Sequence, residues 1–250
     1  MKHHDLGAAV LISIAASLGS AAHGAAATVN INMVGGLKFD PAVVAINAGD
    51  EVVWTNVSAN THDTVSGDPA DPNPGQLWDS PFLGQGDSFS RTFQAGETTD
   101  FFCSIHPTRM FGRVFVNGTG VQVTMIPANT VVMTQKITFD IWLLNFMGAN
   151  QSVNGQVKVK DPGGNSHTVL NKNGTLGPMA RLRVPFTVTL PGAAPPGEYV
   201  VTFELRNSGG VLISSDEDTY DKSALATEGS SSPATLTGEG LMPGWEPSQP

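Results

Sequence analysis

The sequence predicts an all-β protein, built from two antiparallel β-sandwiches that follow one another along the chain. Three observations predict this fold class. Helix-type spacing of apolar residues is nearly absent, short strand-like runs alternate with turn residues, and 28 glycines and 17 prolines in 250 residues supply the turns. The alternation is clearest at Ile137, Phe139, Ile141 and Leu143, a pattern typical of a half-buried strand.

The composition excludes several classes of protein. The net charge is −9 and the 13 Lys and Arg residues are scattered, whereas nucleic-acid binding needs them clustered. We therefore expect no nucleic-acid partner. Cys103 is the single cysteine, so a disulfide framework, a four-thiolate metal site and a two-cysteine dinuclear copper centre are all excluded. Cys103 is either a ligating or reactive thiol or a small buried side chain.

Both ends of the chain differ in composition from the part between them. Residues 1–27 have an early Lys2, then an uncharged stretch rich in Ala, Leu and Ile, then small residues, which is typical of a cleaved export signal. An uncleaved membrane anchor is the alternative, but the stretch is short and rich in Ala for that. We expect a periplasmic or secreted mature chain without stable membrane insertion. Residues 223–250, rich in Ser, Pro, Gly and Glu, are predicted to be a disordered tail.

Residues 28–118 are predicted to form the first sandwich. Strand-like runs cover residues 28–33, 42–46, 51–56, 87–93, 99–103 and 113–117. The turn dipeptide Asn117-Gly118 then marks a break. This segment holds ten acidic residues against four basic ones, a net charge of −6, so most of the net charge of −9 belongs to it.

Residues 119–222 are predicted to form the second sandwich, which looks immunoglobulin-like. Strand-like runs cover residues 121–125, 135–144, 155–160, 167–170, 181–190, 199–205 and 211–214. The segment holds one histidine, His167, which we expect at the surface, and no cysteine. The histidines needed for the second copper site of a multicopper enzyme are missing, so we expect no catalysis there. A docking or spacing module is the remaining interpretation.

Four side chains of the first segment form the ligand set of a mononuclear blue-copper site. Cys103, His106 and Met110 lie on one loop between two predicted strands, and His62 lies on an earlier loop. Two imidazoles and a thiolate make the trigonal base of such a site, with a weak thioether contact along its axis. Loops held by rigid strands change little between Cu(I) and Cu(II), which favours rapid one-electron transfer.

The first segment resembles a small cupredoxin of the plastocyanin, pseudoazurin and amicyanin type. The similar stretches span nearly the whole segment and cover residues 39–41, 48–56, 61–67, 88–93 and 101–116, the last of which reads FFCSIHPTRMFGRVFV. The resemblance implies a Greek-key sandwich with one type 1 copper at one end. It implies His62, Cys103 and His106 as equatorial ligands and Met110 as the axial ligand. It also implies electron passage through the exposed edge of His106, with Pro107, Met110 and Phe111 as an apolar collar.

Two positions depart from the family pattern. Family members usually have two or four residues between the second His and the Met, whereas three residues separate His106 from Met110 here. The residue after the first His is often Asn or Thr, and here it is Asp63. A carboxylate at this position is expected to support the ligand loops by hydrogen bonds. As an alternative, Asp63 belongs with Asp68, Asp71 and Asp79 to an acidic docking patch or a solvated acidic loop.

The sequence therefore predicts a copper-binding electron carrier and not an enzyme. Its redox partner is expected to be a basic protein, such as a cytochrome c, because an acidic surface steers a basic partner toward it. Two alternatives remain open. One is a copper-binding or delivery protein without a redox role, and the other is an adhesion or scaffold protein with a cupredoxin-like fold.

Overall fold

The computed structural model describes residues 25–224, 236–240 and 246–247, and in these residues all regular secondary structure is β-strand. This confirms the all-β prediction. Eight strands lie in the first sandwich: β1 (Thr28–Val34), β2 (Lys38–Asp40), β3 (Val43–Ile46), β4 (Glu51–Asn56), β5 (Val65–Ser66), β6 (Ser88–Thr92), β7 (Thr99–Phe102) and β8 (Phe111–Val116). One sheet has the order β2-β1-β4-β6 and the other the order β3-β8-β7-β5.

Two strand pairs of the first sandwich correct the prediction of a purely antiparallel arrangement. β1 pairs with β4 in parallel, and β3 pairs with β8 in parallel. Both pairs join strands that are distant in sequence, and parallel neighbours need such long connections because a tight hairpin cannot link them. The run-and-turn pattern of the sequence locates strands but does not give the direction of pairs that close over long connections.

The core of the first sandwich is built on β4, whose side chains alternate between the inside and the outside. Val52 and Trp54 point inward and are fully buried. The Trp54 ring packs against Trp78 and, edge-on, against Phe101, with centroid distances of 5.3 and 5.5 Å. By the same alternation the next inward residue is Asn56, a polar side chain at the end of the strand that leads to the His62 loop.

Over the part of residues 119–247 that the structure describes, ten strands lie in the second sandwich: β9 (Val121–Pro127), β10 (Val131–Val132), β11 (Lys136–Asn145), β12 (Gln151–Lys160), β13 (Ser166–Leu176), β14 (Arg181–Thr189), β15 (Gly197–Asn207), β16 (Leu212–Lys222), β17 (Thr237–Gly240) and β18 (Glu246–Pro247). Their sheets have the orders β17-β14-β11-β9 and β10-β16-β15-β12-β13-β18. The four alternating apolar residues from Ile137 to Leu143 all face the core between these sheets, as their spacing predicts.

The two sandwiches pack against each other through an apolar cluster. Val43 and Phe115 of the first sandwich meet Ile126 and Leu144 of the second. Gly118, in the link between β8 and β9, lies under the ring of Phe146, where a Cβ atom would come within 2.4 Å of the ring. Glycine is therefore required at this close approach.

Polar contacts add to this packing. The Arg113 guanidinium donates to the Thr124 hydroxyl over 3.0 Å and lies 3.5 Å from the Asp216 carboxylate. The Asp216 carboxylate also accepts the Met125 N–H over 2.7 Å. Arg113 belongs to β8 and Asp216 to β16, so an ion pair joins the two sandwiches.

Part of the predicted disordered tail is ordered instead. Residues 237–240 form β17, which pairs with β14, and Leu236 packs against the core of the second sandwich. Gly238 and Gly240 lie on the Phe186 ring, where Cβ atoms would come within 2.9 and 2.3 Å of it. The glycines that suggest disorder in the sequence are the residues that allow this close approach.

The predicted export signal, residues 1–27, lies almost wholly outside the described residues, which begin at Ala25. Ala27 is held in place, since its N–H donates to the Asp50 carboxylate over 2.8 Å and its carbonyl accepts the Glu51 N–H. Among the residues that the structure describes, no helix has the length and apolar character needed to cross a membrane.

Candidate metal centre

His62 is placed by the loop that follows β4. Its backbone pairs with that of Leu83 in both directions, with N–O distances of 3.1 and 2.7 Å. Asn56, at the end of β4, donates through its side-chain amide to the Asn60 and Leu83 carbonyls. The two bonds tie the start of the loop to the residue that pairs with His62. The His62 side chain is fully buried as a result.

Cys103, His106 and Met110 lie on a closed loop between β7 and β8. The Cys103 N–H donates to the Met110 carbonyl over 3.0 Å, and the His106 N–H donates to the Cys103 carbonyl over 3.0 Å. The Met110 N–H donates to the His106 carbonyl over 3.2 Å. These bonds close the loop, which we call the ligand loop (residues 103–110), and hold its three potential donors in one small region.

The histidines and the cysteine converge on one point. The Cys103 Sγ atom lies 3.8 Å from His62 Nδ1 and 3.5 Å from His106 Nδ1, and the potential ligand atoms of the three residues lie within 4.8 Å of one another. The two imidazole rings are 4.9 Å apart between centroids. Two imidazole nitrogens and one sulfur at this spacing fit the trigonal base of a mononuclear copper site.

The Ser58 hydroxyl assigns the tautomer of His62. Its single hydrogen is directed to the Asn56 side-chain oxygen over 3.0 Å or the Asn60 carbonyl over 3.3 Å, both of which are acceptors. When the hydrogen goes to either of these acceptors, the hydroxyl oxygen accepts from His62 Nε2, which lies 2.9 Å away. With the proton on Nε2, the Nδ1 lone pair is free to face Cys103, which is the state that a metal ligand needs.

Asp63 is not part of an exposed acidic patch. It is 2% exposed, and its carboxylate accepts the Ser104 N–H over 2.6 Å and the Ser104 hydroxyl. The expectation that Asp63 supports the ligand loops is thus confirmed, and the docking-patch alternative is wrong for this residue. Asp68, Asp71 and Asp79 are exposed. Asp63 directly follows His62, and Ser104 directly follows Cys103. Their contact therefore joins the His62 loop to the ligand loop next to two of the potential ligands.

Burial dominates the electrostatics of this region. It raises the pKa of the Cys103 thiol to about 11, because a buried thiolate without a partner charge is poorly solvated. Burial also lowers the pKa of His62, and the neighbouring His106 lowers it further while Asp63 opposes the shift. The His62 imidazole is therefore neutral near pH 7. A thiolate ligand forms here only if a cation replaces the thiol proton.

Met110 is fully buried in the apolar core cluster that also contains Cys103. The expected collar around His106 must be corrected, because Met110 is inside the protein and Phe111 packs toward the cluster between the sandwiches. The exposed apolar side chains near the site are instead Pro107, Ile105, at 40% exposure, and Phe82, at 68% exposure, next to Leu83. His106 itself is partly exposed.

Sequence reasoning missed Asn56, Ser58 and Ser104, the polar residues that hold the potential ligands. One signal for the first two was present. Short polar residues two positions apart at the end of a strand are typical of an Asx turn, and the Asn56 side chain does accept the Ser58 N–H over 2.9 Å. No local pattern indicates that Ser104 contacts Asp63, because 41 positions separate them in the chain.

A β-sandwich whose loops at one end bring together a buried His, a buried Cys and a partly exposed His is typical of mononuclear copper proteins. The sequence profile described as copper binding proteins, plastocyanin/azurin family, matches residues 25–117. Chloroplastic plastocyanin of Tetradesmus obliquus is 36% identical over 87 residues, which make up 33% of this chain and 60% of that protein. Plastocyanin of Scenedesmus fuscus is 33% identical over 76 residues, which make up 29% of this chain and 78% of that protein.

Among solved structures, a purple cupredoxin from Nitrosopumilus maritimus is 30% identical, with a TM-score of 0.33, over 36% of this chain and 99% of that chain. A reduced amicyanin variant is 23% identical, with a TM-score of 0.31, over 36% of this chain and 82% of that chain. From the profile and the plastocyanin sequences, the chain belongs to the plastocyanin/azurin family of copper-binding proteins, through its first sandwich.

Proposed function

We propose that this protein is an exported electron carrier that binds one type 1 copper through His62, Cys103, His106 and Met110. One observation above all supports the proposal: both Nδ1 atoms face the Cys103 sulfur, at 3.8 and 3.5 Å. When bound, the copper would supply a one-electron couple between Cu(II) and Cu(I).

The protein's own residues account for the small rearrangement that fast electron transfer needs. Ser58 holds His62, Asp63 holds Ser104 beside Cys103, and the backbone bonds of the ligand loop hold His106 and Met110. Since these bonds join residues of the protein itself, they hold the donors in place for a metal. A change of charge at the site then requires little movement of the side chains.

His106 is the proposed exit for the electron. Its Nδ1 faces Cys103, so the opposite edge of its ring is the one directed away from the sulfur, and the residue is partly exposed. Ile105 and Pro107 on either side of it are exposed. An apolar rim of this kind lets a partner exclude water around the ring and approach it closely.

The proposed redox partner is a basic protein, such as a cytochrome c. A groove of about 430 Å³ runs beside the ligand loop, and its lining includes Pro107 and the acidic residues Asp68, Glu217 and Asp221. Both sandwiches contribute these acids. Their field would steer positively charged partners to the side of His106.

The proposal includes export, which the composition of residues 1–27 supports. The signal pattern, with small residues after an uncharged apolar stretch, supports it. Mass spectrometry of the mature protein from its native host tests it. We expect a chain that starts between residues 25 and 28, and a chain that retains residue 2 would contradict export by cleavage.

Electron self-exchange and copper retention test the carrier function together. Mixing the Cu(I) and Cu(II) forms should give rapid self-exchange by NMR line broadening, while a chelator in excess should remove copper slowly. The opposite result, slow exchange with ready loss of copper to an acceptor protein, would favour copper delivery. Failure to bind copper would contradict both functions and leave a scaffold.

A further inference from the structure

We propose that the second sandwich is a positioning element of the copper site, and that it acts through Thr130, which holds the middle of the ligand loop. The inference rests on the proposed function, since it concerns the same site. It assigns a role to a part of the chain outside residues 25–117, which the profile matches.

The contact is direct and lies between two ligand positions. The Thr130 N–H donates to the Thr108 carbonyl over 2.8 Å, and the Thr130 hydroxyl donates to the same carbonyl over 3.4 Å. Thr108 is the central residue of the three that separate His106 from Met110. The bonds that close the ligand loop use the Cys103, His106 and Met110 carbonyls, whereas the Thr108 carbonyl is bonded from the other sandwich.

Thr130 is itself anchored to the second sandwich. Its carbonyl accepts the Asp221 N–H over 2.8 Å, and the next two residues form β10, which pairs with β16. The Asn129 side chain accepts the Val131 N–H over 3.0 Å and so shapes the turn that presents Thr130. A continuous set of hydrogen bonds therefore runs from β16 to the ligand loop.

The packing on both sides of the loop agrees with this role. Arg109 and Phe111 line one cavity together with Pro127 and Ala128 of the second sandwich. Pro107 and Phe111 line the acidic groove together with Thr130 and Val131. Segment 127–131 thus lies beside the ligand loop in two places. The three-residue spacing, which departs from the family pattern, occurs where a second sandwich takes part in setting the loop conformation.

The test compares two substitutions in the full chain. Thr130→Pro removes both the N–H and the hydroxyl that hold Thr108, whereas Thr130→Ala removes only the longer hydroxyl bond. In the metal-free protein, we expect Thr130→Pro to speed amide hydrogen exchange of His106, Thr108, Arg109 and Met110 roughly threefold to tenfold, the effect expected from the loss of one hydrogen bond. Thr130→Ala should have a smaller effect. In the copper-loaded protein, Thr130→Pro should speed copper loss at least about tenfold and shift the visible spectrum.

Arg181→Ala is the matched control. Arg181 donates to the Ala45 carbonyl of the first sandwich over 3.3 Å, so the control removes a bond between the sandwiches that does not touch the ligand loop. Equal effects of Arg181→Ala and Thr130→Pro would overturn the proposal, because general docking would then explain both. Unchanged exchange and spectrum in a folded Thr130→Pro protein would also overturn it.

If Thr130→Pro does not fold, Asn129→Ala replaces it, since this change loosens the turn without removing a contact to the first sandwich. We expect faster exchange of residues 106–110 in this variant too, and unchanged exchange would count against the role of Thr130. The exchange measurement needs no copper. If the protein failed to bind copper, the proposed function would be contradicted. The hydrogen-exchange result would still decide whether Thr130 positions the ligand loop.

Discussion

At the scale of single residues, the Ser58 hydroxyl decides which nitrogen of His62 faces Cys103. Ser58→Ala leaves the buried Nε2–H without its acceptor, which should lower the free energy of unfolding by about 1–3 kcal/mol. It also frees the ring to turn, so copper affinity should fall about 10–100-fold. Competition with a chelator of known affinity measures the second effect.

Ser88→Ala is the control for this prediction. The Ser88 hydroxyl bonds the Thr55 hydroxyl over 2.9 Å at an exposed position of the neighbouring strand pair, so its loss should change copper affinity little. A Ser58→Ala protein with the affinity of the Ser88→Ala protein would contradict the role of Ser58 in fixing the tautomer.

Met110 is the proposed axial donor. Met110→Leu should keep copper and colour but raise the reduction potential, because the weak thioether donor stabilises Cu(II) more than Cu(I). Each tenfold change in the relative affinity for the two states corresponds to ~59 mV. Cyclic voltammetry measures the shift. An unchanged potential and spectrum would show that Met110 only fills the core.

The proposed ligands were predictable from the sequence, but the residues that hold them were not. His62, Cys103, His106 and Met110 carry rare side chains whose combination has few other uses. Ser58 is a common polar residue, and its role appears only when the fold places it under His62. The sequence did not decide whether Asp63 supports the ligand loops or belongs to an exposed acidic patch, because a carboxylate in a loop is usually solvated. Its burial depends on a contact with Ser104, which lies on a distant loop.

At the scale of strands, alternation of apolar residues identified the elements that bury one face. β16 shows the limit. The prediction ended this strand at residue 214, because the next positions, which face outward or toward the interface, hold Ser215, Asp216, Glu217 and Asp218. The strand itself continues to Lys222. β-propensity is low for such residues, and pairing with β15 along the whole length overrides it.

Asp218 on β16 makes a testable contribution to stability. Burial raises its pKa well above the usual value, Asp216, Asp100 and Asp68 raise it further, and Arg113 opposes the shift. A raised pKa means that the folded protein prefers the protonated form. Stability is therefore fully present below about pH 4, the pKa in the unfolded chain, and is lost as the pH rises through the folded value.

Asp218→Asn should thus stabilise the protein at pH 7, with the gain shrinking toward pH 4. Denaturant unfolding at both pH values measures it. Asp161→Asn should give the opposite sign, because hydrogen bonds from Asn165 and His167 hold the pKa of Asp161 at about 2. A lower stability of Asp218→Asn at pH 7 would contradict the electrostatic account.

At the scale of the whole molecule, some of the acidic residues line the groove beside Pro107, where we propose that a redox partner approaches. Asp68 lines the groove beside Pro107, and its N–H donates to the Asp71 carboxylate over 2.8 Å. Electron transfer to a basic protein should slow steeply with salt, because the Debye length falls from ~10 Å at 0.1 M to ~3 Å at 1 M. Stopped-flow rates with a cytochrome c measure the effect.

Asp68→Asn and Asp71→Asn should each lower this rate at low salt and leave the copper spectrum unchanged. Glu51→Gln is the control, since it removes one charge at the end of β4 that is remote from Asn56 and the site. If the rate responds equally to all three substitutions, or does not depend on salt, the acidic residues do not steer the partner. Docking would then depend on the apolar side chains around His106.

The visible spectrum of the purified protein after addition of Cu(II) tests the central claim most directly. One copper per chain should bind and give intense absorption from thiolate-to-copper charge transfer, and Cys103→Ser should abolish the colour because a hydroxyl cannot replace the soft sulfur donor. A wild-type protein that binds copper yet stays colourless, or a Cys103→Ser protein that keeps the colour, would contradict a copper site built on His62, Cys103 and His106.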